Sequence, residues 1–206
     1  DNGLSITHTV ELDGAVIDSH HIAIATDGMG TLTYVGDGGT GPIGAWDDVT
    51  PTANEEAHGT TFAGTKFGAA NNDPNTNNSF VYDYTVMDGL ALKASYIPSD
   101  GTSSLDSSMD YGVLYTGIDG LSVYAAMGEN NAASNSADLS MFAVVYTAGA
   151  FSVGYQMNET DYGTGTDDED FTALGVSYAV SDDLSISINQ STVDEEGSTE
   201  DQEAGA

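Results

Sequence analysis

The side chains best suited to chemistry in this sequence are carboxylates, and they crowd one stretch. Between Asp37 and Asn78 lie Asp37, Asp47, Asp48, Glu55, Glu56 and Asp73, the only Trp (Trp46), and many Gly and Asn. The stretch keeps neither the period of 2 of a strand nor the ~3.6 of a helix. Long structureless segments are uncommon in compact domains and are usually functional or disordered. Carboxylates gathered in one can concentrate cations and exclude anions. They are not a catalytic dyad without surroundings that split their pKa values, and no G-x-S-x-G elbow accompanies them. The absence of Cys removes thiol nucleophiles, zinc-thiolate sites and disulfides together. The chain reads as a non-enzyme.

Other constellations carry less. His8, His20, His21 and His58 are too scattered for a ligand set, because a structural zinc site wants about four converging ligands. Asp167-Asp168-Glu169-Asp170 and Asp194-Glu195-Glu196 have donors for Ca²⁺, but neither has the spacing of an EF-hand loop. Solvated loop charge is the expectation for both, with Ca²⁺ the one cofactor that the donor set would allow. The Gly-Asp-Gly-Gly run after Val35 occurs once, whereas calcium-binding roll repeats must recur to stack.

Composition bounds the class. The 206 residues carry 33 Asp and Glu against only Lys66 and Lys93, a formal charge of -31. Such a chain repels a phosphate backbone, so nucleic acid is excluded as a partner. No apolar run approaches the ~20 residues of a membrane helix, and a single β-domain, residues 1–206, is the default at this length. No basic leader region or initiating Met is present, so a mature or clipped segment is expected.

The elements that must position the carboxylates read as β-strands. Leu4, Ile6, Val10 and Leu12 alternate with Ser5, Thr7, Thr9 and Glu11, the period-2 signature of a one-sided strand. Eleven strands are expected: 4–12, 15–26 and 31–36 before the insert, then 79–87, 90–97, 109–116, 121–128, 138–147, 150–158, 170–180 and 184–191. Their later connections alternate between tight turns and long acidic loops, as the two rims of a membrane barrel do. Pairing the hairpins sets Tyr84 opposite Leu92, Val86 opposite Leu90 and Asp83 opposite Lys93. It likewise sets Val144 opposite Val153, Tyr146 opposite Phe151 and Tyr178 opposite Ile186. One face of each hairpin is then continuously apolar with Tyr or Phe, and the other carries Ser, Thr, Ala and Gly. A lipid-facing side and a water-lined side would look like this.

The run from Ser79 to Tyr96, Ser-Phe-Val-Tyr-Asp-Tyr-Thr-Val-Met-Asp-Gly-Leu-Ala-Leu-Lys-Ala-Ser-Tyr, resembles the general trimeric porins of Gram-negative outer membranes, particularly the alphaproteobacterial type. So does Gly30-Thr-Leu-Thr-Tyr-Val-Gly-Asp37 leading into a long loop. The resemblance implies an antiparallel transmembrane β-barrel of the sixteen-stranded porin type in the outer membrane. A homotrimer among outer-membrane lipid, passing small hydrophilic solutes and ions by diffusion, is implied with it. It also implies that residues 37–78 fold back into the pore and narrow it with Asp37, Asp47, Asp48, Glu55 and Glu56. On this alignment the chain is an internal fragment, incomplete at both ends, and Val193 to Ala206 is an acidic, loop-like tail. Such porins set Arg and Lys across from the acidic loop; here Arg is absent, and the pore wall offers Lys93 beside Asp83. A cation-preferring pore is the expectation, although Asp83 and Lys93 could equally be a plain cross-strand ion pair. Two other classes fit the composition: a secreted acidic, adhesin-like β-protein with Ca²⁺-binding loops, whose apolar faces pack on each other, and a soluble enzyme of a salty environment.

Overall fold

The computed structural model describes residues 3–14, 16–51, 77–99, 101, 106–131, 136–163, 168–196 and 202–205. Three strands come first, β1 (Leu4–Asp13), β2 (Val16–Thr26) and β3 (Gly30–Asp37), followed by a single helical turn, α1 (Pro42–Ala45). The regular part then runs through β4 (Ser79–Met87), β5 (Leu90–Ile97), β6 (Ser108–Ile118), β7 (Leu121–Asn130) and β8 (Ala137–Ala148). It ends with β9 (Phe151–Asp161), β10 (Glu169–Ser181), β11 (Leu184–Glu195) and β12 (Gln202–Gly205). All twelve lie in one sheet in sequence order, each strand hydrogen-bonded to the next. The pairings are antiparallel throughout. The eleven expected strands are present, most of them longer at one or both ends. The tail expected to be loop-like contributes the rest of β11 and all of β12, where Gln190 pairs with Gly205 and Val193 with Gln202.

Register follows the alternation in most hairpins. Tyr84 faces Leu92, Asp83 faces Lys93, Tyr178 faces Ile186 and Val176 faces Ile188. Three details differ from the sequence reading, the first being that Ser181, not Val180, pairs with Leu184 across a bulge between Ala179 and Ser181. Met87, not Val86, pairs with Leu90, because a bulge between Thr85 and Met87 leaves Asp88-Gly89 as a two-residue turn. Gly89 sits at φ 76 there, in the left-handed region that such turns require and that Gly adopts without a Cβ clash. In the β8–β9 hairpin the turn is Gly149-Ala150, so Ala148 pairs with Phe151, Tyr146 with Val153 and Val144 with Tyr155. The slip is two residues, which leaves every side chain on its expected face.

The two faces differ as the alternation requires. Ser79, Val81, Ser95, Ile97, Asp110, Ala126, Leu139, Met141, Ala143, Gln156, Phe171 and Ser191 are buried on one face, hereafter the inner face. Leu32, Phe80, Tyr82, Leu92, Tyr96, Tyr111, Phe142, Tyr155, Leu174, Tyr178 and Ile186 stand exposed on the other. An exposed apolar surface on this scale has no place in water and marks a membrane or partner contact. Among the described residues, apolar faces packing on each other, the arrangement an adhesin-like sandwich would need, are not found: the apolar face belongs to one sheet and no described element covers it. Among the described residues no helix is long and apolar enough to cross a membrane. Strands β1 to β11 are 8 to 13 residues long, against the ~9–11 that cross a bilayer when tilted. An Arg in place of Leu174, mid-strand on the apolar face, is expected to cost roughly 2–4 kcal/mol in lipid. An Arg in place of Ser177 on the inner face is expected to cost far less. Denaturant unfolding in vesicles measures both.

Candidate functional site

The insert leaves the end of β3 and turns immediately onto the inner face. Asp37 remains in the ladder opposite His20, and the Gly38 N–H donates to Asn77 Oδ1 at 3.2 Å, closing the neck of the insert. Pro42 then opens α1, where a missing N–H costs nothing. The helical turn is closed by Ala45 N–H to Gly41 O at 2.9 Å and Trp46 N–H to Pro42 O at 3.1 Å.

Asp110 fixes this root to the wall. Its carboxylate, on the inner face of β6 and 1 % exposed, accepts the Ile43 N–H at 2.9 Å and the Ser95 hydroxyl from β5. One of the helix's orphan N–H groups is thereby satisfied by a residue of the sheet. The fit leaves no spare room: a Cβ on Gly41 would lie 2.1 Å from Asp110 Oδ1. Ile43, 1 % exposed, fills the adjoining apolar hollow of Ala126, Leu139, Met141 and Ala143. Trp46 follows, its ring edge-on to Tyr124 at 5.7 Å. It lies so close over β6 that a Cβ on Gly112 would come within 2.4 Å of its Cζ3.

Gln156 on β9 makes a second clamp. It is fully buried, and its Oε1 accepts the Val49 N–H at 3.0 Å. Its Nε2 donates to the carbonyls of Trp46 at 3.1 Å and Asp47 at 2.5 Å. Beyond it, Pro51 lies on two glycines of the wall: a Cβ on Gly154 would meet its Cδ at 2.5 Å and one on Gly175 its carbonyl at 2.6 Å. Residues 41–51 thus cross the inner face from β5 and β6 to β10.

This path places the carboxylates. Asp47 and Asp48 follow Trp46 and sit over β9 through the Gln156 clamp, Asp47 half-buried and Asp48 exposed. Burial, reinforced by the neighbouring charge of Asp48, pushes Asp47 up to about 6 from its usual 3.8. Asp37 is not with them; it stays in the ladder on β3, at the neck. Glu55 and Glu56 lie outside the described residues, as does Lys66. Asp83 and Lys93 face each other on the inner side of β4 and β5, with Nζ to Oδ1 at 3.2 Å.

Sequence reasoning overlooked Asp110 and Gln156, the two residues that hold the insert. Each nevertheless left a trace: an acid between Ser108 and Gly112, and a long amide two residues from Gly154, both among small inner-face neighbours. Among the described residues no group of three or more His, Cys, Asp or Glu converges as a metal site. Asp168 accepts the Tyr162 N–H at 2.8 Å instead.

The Gram-negative porin family model matches residues 1–205. No curated protein matches the chain. Among solved structures, a loop-deletion variant of OmpT, an outer membrane protein of Vibrio cholerae, superposes with a TM-score of 0.67 at 20% identity, over 100% of this chain and 73% of that one. An anion-selective porin from Comamonas acidovorans gives 0.58 at 13% identity, over 89% and 60%. A substituted porin of Rh. blastica gives 0.53 at 15% identity, over 100% and 83%. These solved structures share the fold, an outer-membrane β-barrel of which the open twelve-stranded sheet is a segment.

Losing either clamp should loosen the insert. Asp110→Ala leaves the Ile43 N–H unpaired and Gln156→Ala leaves that of Val49, at about 1–3 kcal/mol for each buried orphan. Trp46 is the only Trp, so its emission reports the result directly. Both variants are expected to red-shift it and to speed amide exchange at Ile43 or Val49, and unchanged spectra would remove the clamp roles.

Proposed function

The chain belongs to the Gram-negative porin family, and on that premise we propose a water-filled channel through the outer membrane for passive diffusion of small hydrophilic solutes and ions, with a preference for cations. The single observation that carries the reading is the path of residues 41–51 across the inner face. It brings Asp47 and Asp48 over the wall of the lumen, and the chain has no Arg to oppose them. Asp47 and Asp48 are the constriction charges of this reading, with Glu55 and Glu56 of the same insert beside them in sequence and Asp37 at its neck. Asp83 and Lys93 belong to the wall, and residues 37–51 are the described part of the loop assigned here to the pore, the rest of the 37–78 insert up to residue 76 lying outside the described residues. The resemblance to general porins supports a homotrimer set in outer-membrane lipid.

Carboxylates on a low-dielectric wall focus their field along the pore, raising the local concentration of cations and excluding anions. Screening sets the range: the Debye length falls from ~10 Å at 0.1 M salt to ~3 Å at 1 M, so the preference belongs to dilute electrolyte. The anion-selective neighbour is 13% identical to this chain over the aligned residues, a likeness that shows the fold alone.

Asp47 gives the preference a pH dependence whose sign can be worked out. Its value in the docked insert, about 6, lies above the usual 3.8. The protonated form therefore favours docking, and that contribution is full below the usual value and lost as pH rises through about 6. The charge moves oppositely: Asp47 is ionised above about 6 and neutral below it. In planar bilayers under a KCl gradient, the reversal potential should indicate cation preference at neutral pH and move toward zero as pH falls through that value. Asp47→Asn should remove the step, and joint neutralisation of Asp47 and Asp48 should take most of the preference. A reversal potential indifferent to both changes would show that other charges set the field.

A further inference from the structure

Beside the insert, on the side away from Gln156, lies an open cleft of about 640 Å³, within the ~300–1,000 Å³ of small-molecule sites. The end of α1 forms one wall through Ala45 and Trp46, and the inner face of β3 to β6 forms the other through Thr31, Asp83, Thr85, Lys93 and Leu114. The chemistry of the lining is divided. Trp46 and Leu114 supply an apolar flank, Asp83 and Lys93 supply one full charge of each sign, 3.2 Å apart, and Asp27 adds a second carboxylate to the lining.

Three features of that pair narrow what could bind. The chain has two basic residues, and Lys66 lies outside the described residues, so Lys93 is the one described ammonium that can receive a carboxylate. Its partner carboxylate is about half exposed, so the pair presents hydrogen-bonding capacity to the lumen instead of satisfying it internally. The pair is also neutral as a unit, which gives an isolated anion or cation little net attraction. A ligand carrying both charges close together gains from both members at once, lying head to tail against them, with each contact a charge-assisted hydrogen bond.

We propose that the cleft between Trp46 and the Asp83–Lys93 pair is a binding subsite for zwitterionic solutes of the α-amino-acid class. The solute carboxylate lies on Lys93 Nζ, its ammonium on the Asp83 carboxylate, and an apolar side chain lies toward Trp46 and Leu114. The inference rests on the channel reading and deepens it. In a pore whose insert attracts cations and repels anions, a net-neutral zwitterion passes the acidic field without penalty, and among the described residues Lys93 is the ammonium that its carboxylate meets. Thr31 and Thr85 flank the pair with hydroxyls that can donate or accept.

The test uses the intact protein in liposomes and planar bilayers, with leucine as the zwitterion, xylitol as a neutral polyol and leucine methyl ester as the cation that lacks a carboxylate. Leucine should enter liposomes faster than xylitol and should reduce KCl current in a saturable way. Lys93→Met and Asp83→Asn should each weaken that block about three- to tenfold, a modest figure because the pair is partly exposed to water. The swapped double variant, Asp83→Lys with Lys93→Asp, should restore it, because a zwitterion can turn round where a monopole cannot. An unblocked KCl current like that of the unsubstituted protein shows that the single variants have not merely misfolded. Block by leucine methyl ester should not weaken with Lys93→Met and should strengthen, because the Asp83 charge is then unopposed. A conducting channel in which leucine and xylitol enter alike, or in which the swap fails to rescue a block that the single variants lost, overturns the subsite and leaves the channel reading standing. Absence of any conductance overturns the channel reading instead.

Discussion

A buried carboxylate is the point on which the arrangement of this protein turns. Asp110 has no water to solvate it, so it must be met by donors, and the two it has come from different parts of the chain. Ser95 belongs to the neighbouring strand, whereas Ile43 belongs to an insert that begins only after β3 has ended. Either partner alone would leave a buried group short of a bond, at about 1–3 kcal/mol, so sheet and insert are stable in this geometry together. The glycines around the contact have the same meaning. A Cβ on Gly41 or on Gly128 would run into Asp110, and the backbone can approach only because there is none.

From that anchor the insert is laid out by chemistry alternating along its length. Ile43 needs an apolar hollow and finds small and apolar residues on β7 and β8. The polar backbone after Trp46 needs hydrogen bonds, and the amide of Gln156, which both donates and accepts, supplies them. Pro51 donates no hydrogen bond and comes to rest on Gly154 and Gly175. Side chains that would be unremarkable in a lumen filled only by water are thus matched, position by position, to a segment crossing it. The outer face obeys a different constraint: its exposed Leu, Ile, Phe and Tyr need lipid or a partner against them, and the period of 2 keeps the two requirements from competing.

Much of this was legible in the sequence because alternation is a local property. Asp83 opposite Lys93 and Tyr178 opposite Ile186 follow from where the turns fall and which face is apolar, and they are as read. Bulges are not local in that sense. The extra residue before Asp88-Gly89 changes one pair without changing a face, and hydropathy is blind to it; the same holds for the two-residue slip at Gly149. The tail was misread because Gln202 to Gly205 is short and polar, and its strand is made by the edge of β11 more than by its own composition. The acidic insert was visible as an interruption of pattern, and its charges as composition. Asp110 and Gln156 were hidden for the opposite reason: each is a single polar residue inside a good strand, and its meaning depends on a segment 67 or 107 residues away.

The central claim is that residues 42–51, held across the inner face, narrow the channel and give it its ionic preference. Single-channel conductance of the intact protein, compared with a form in which those residues are replaced by a short Gly-Ser linker, tests it most directly. The account predicts a larger unitary conductance and a weaker cation preference in dilute electrolyte once the segment is gone. An unchanged conductance with an unchanged preference would mean that the segment lies outside the conduction path, and would contradict the account.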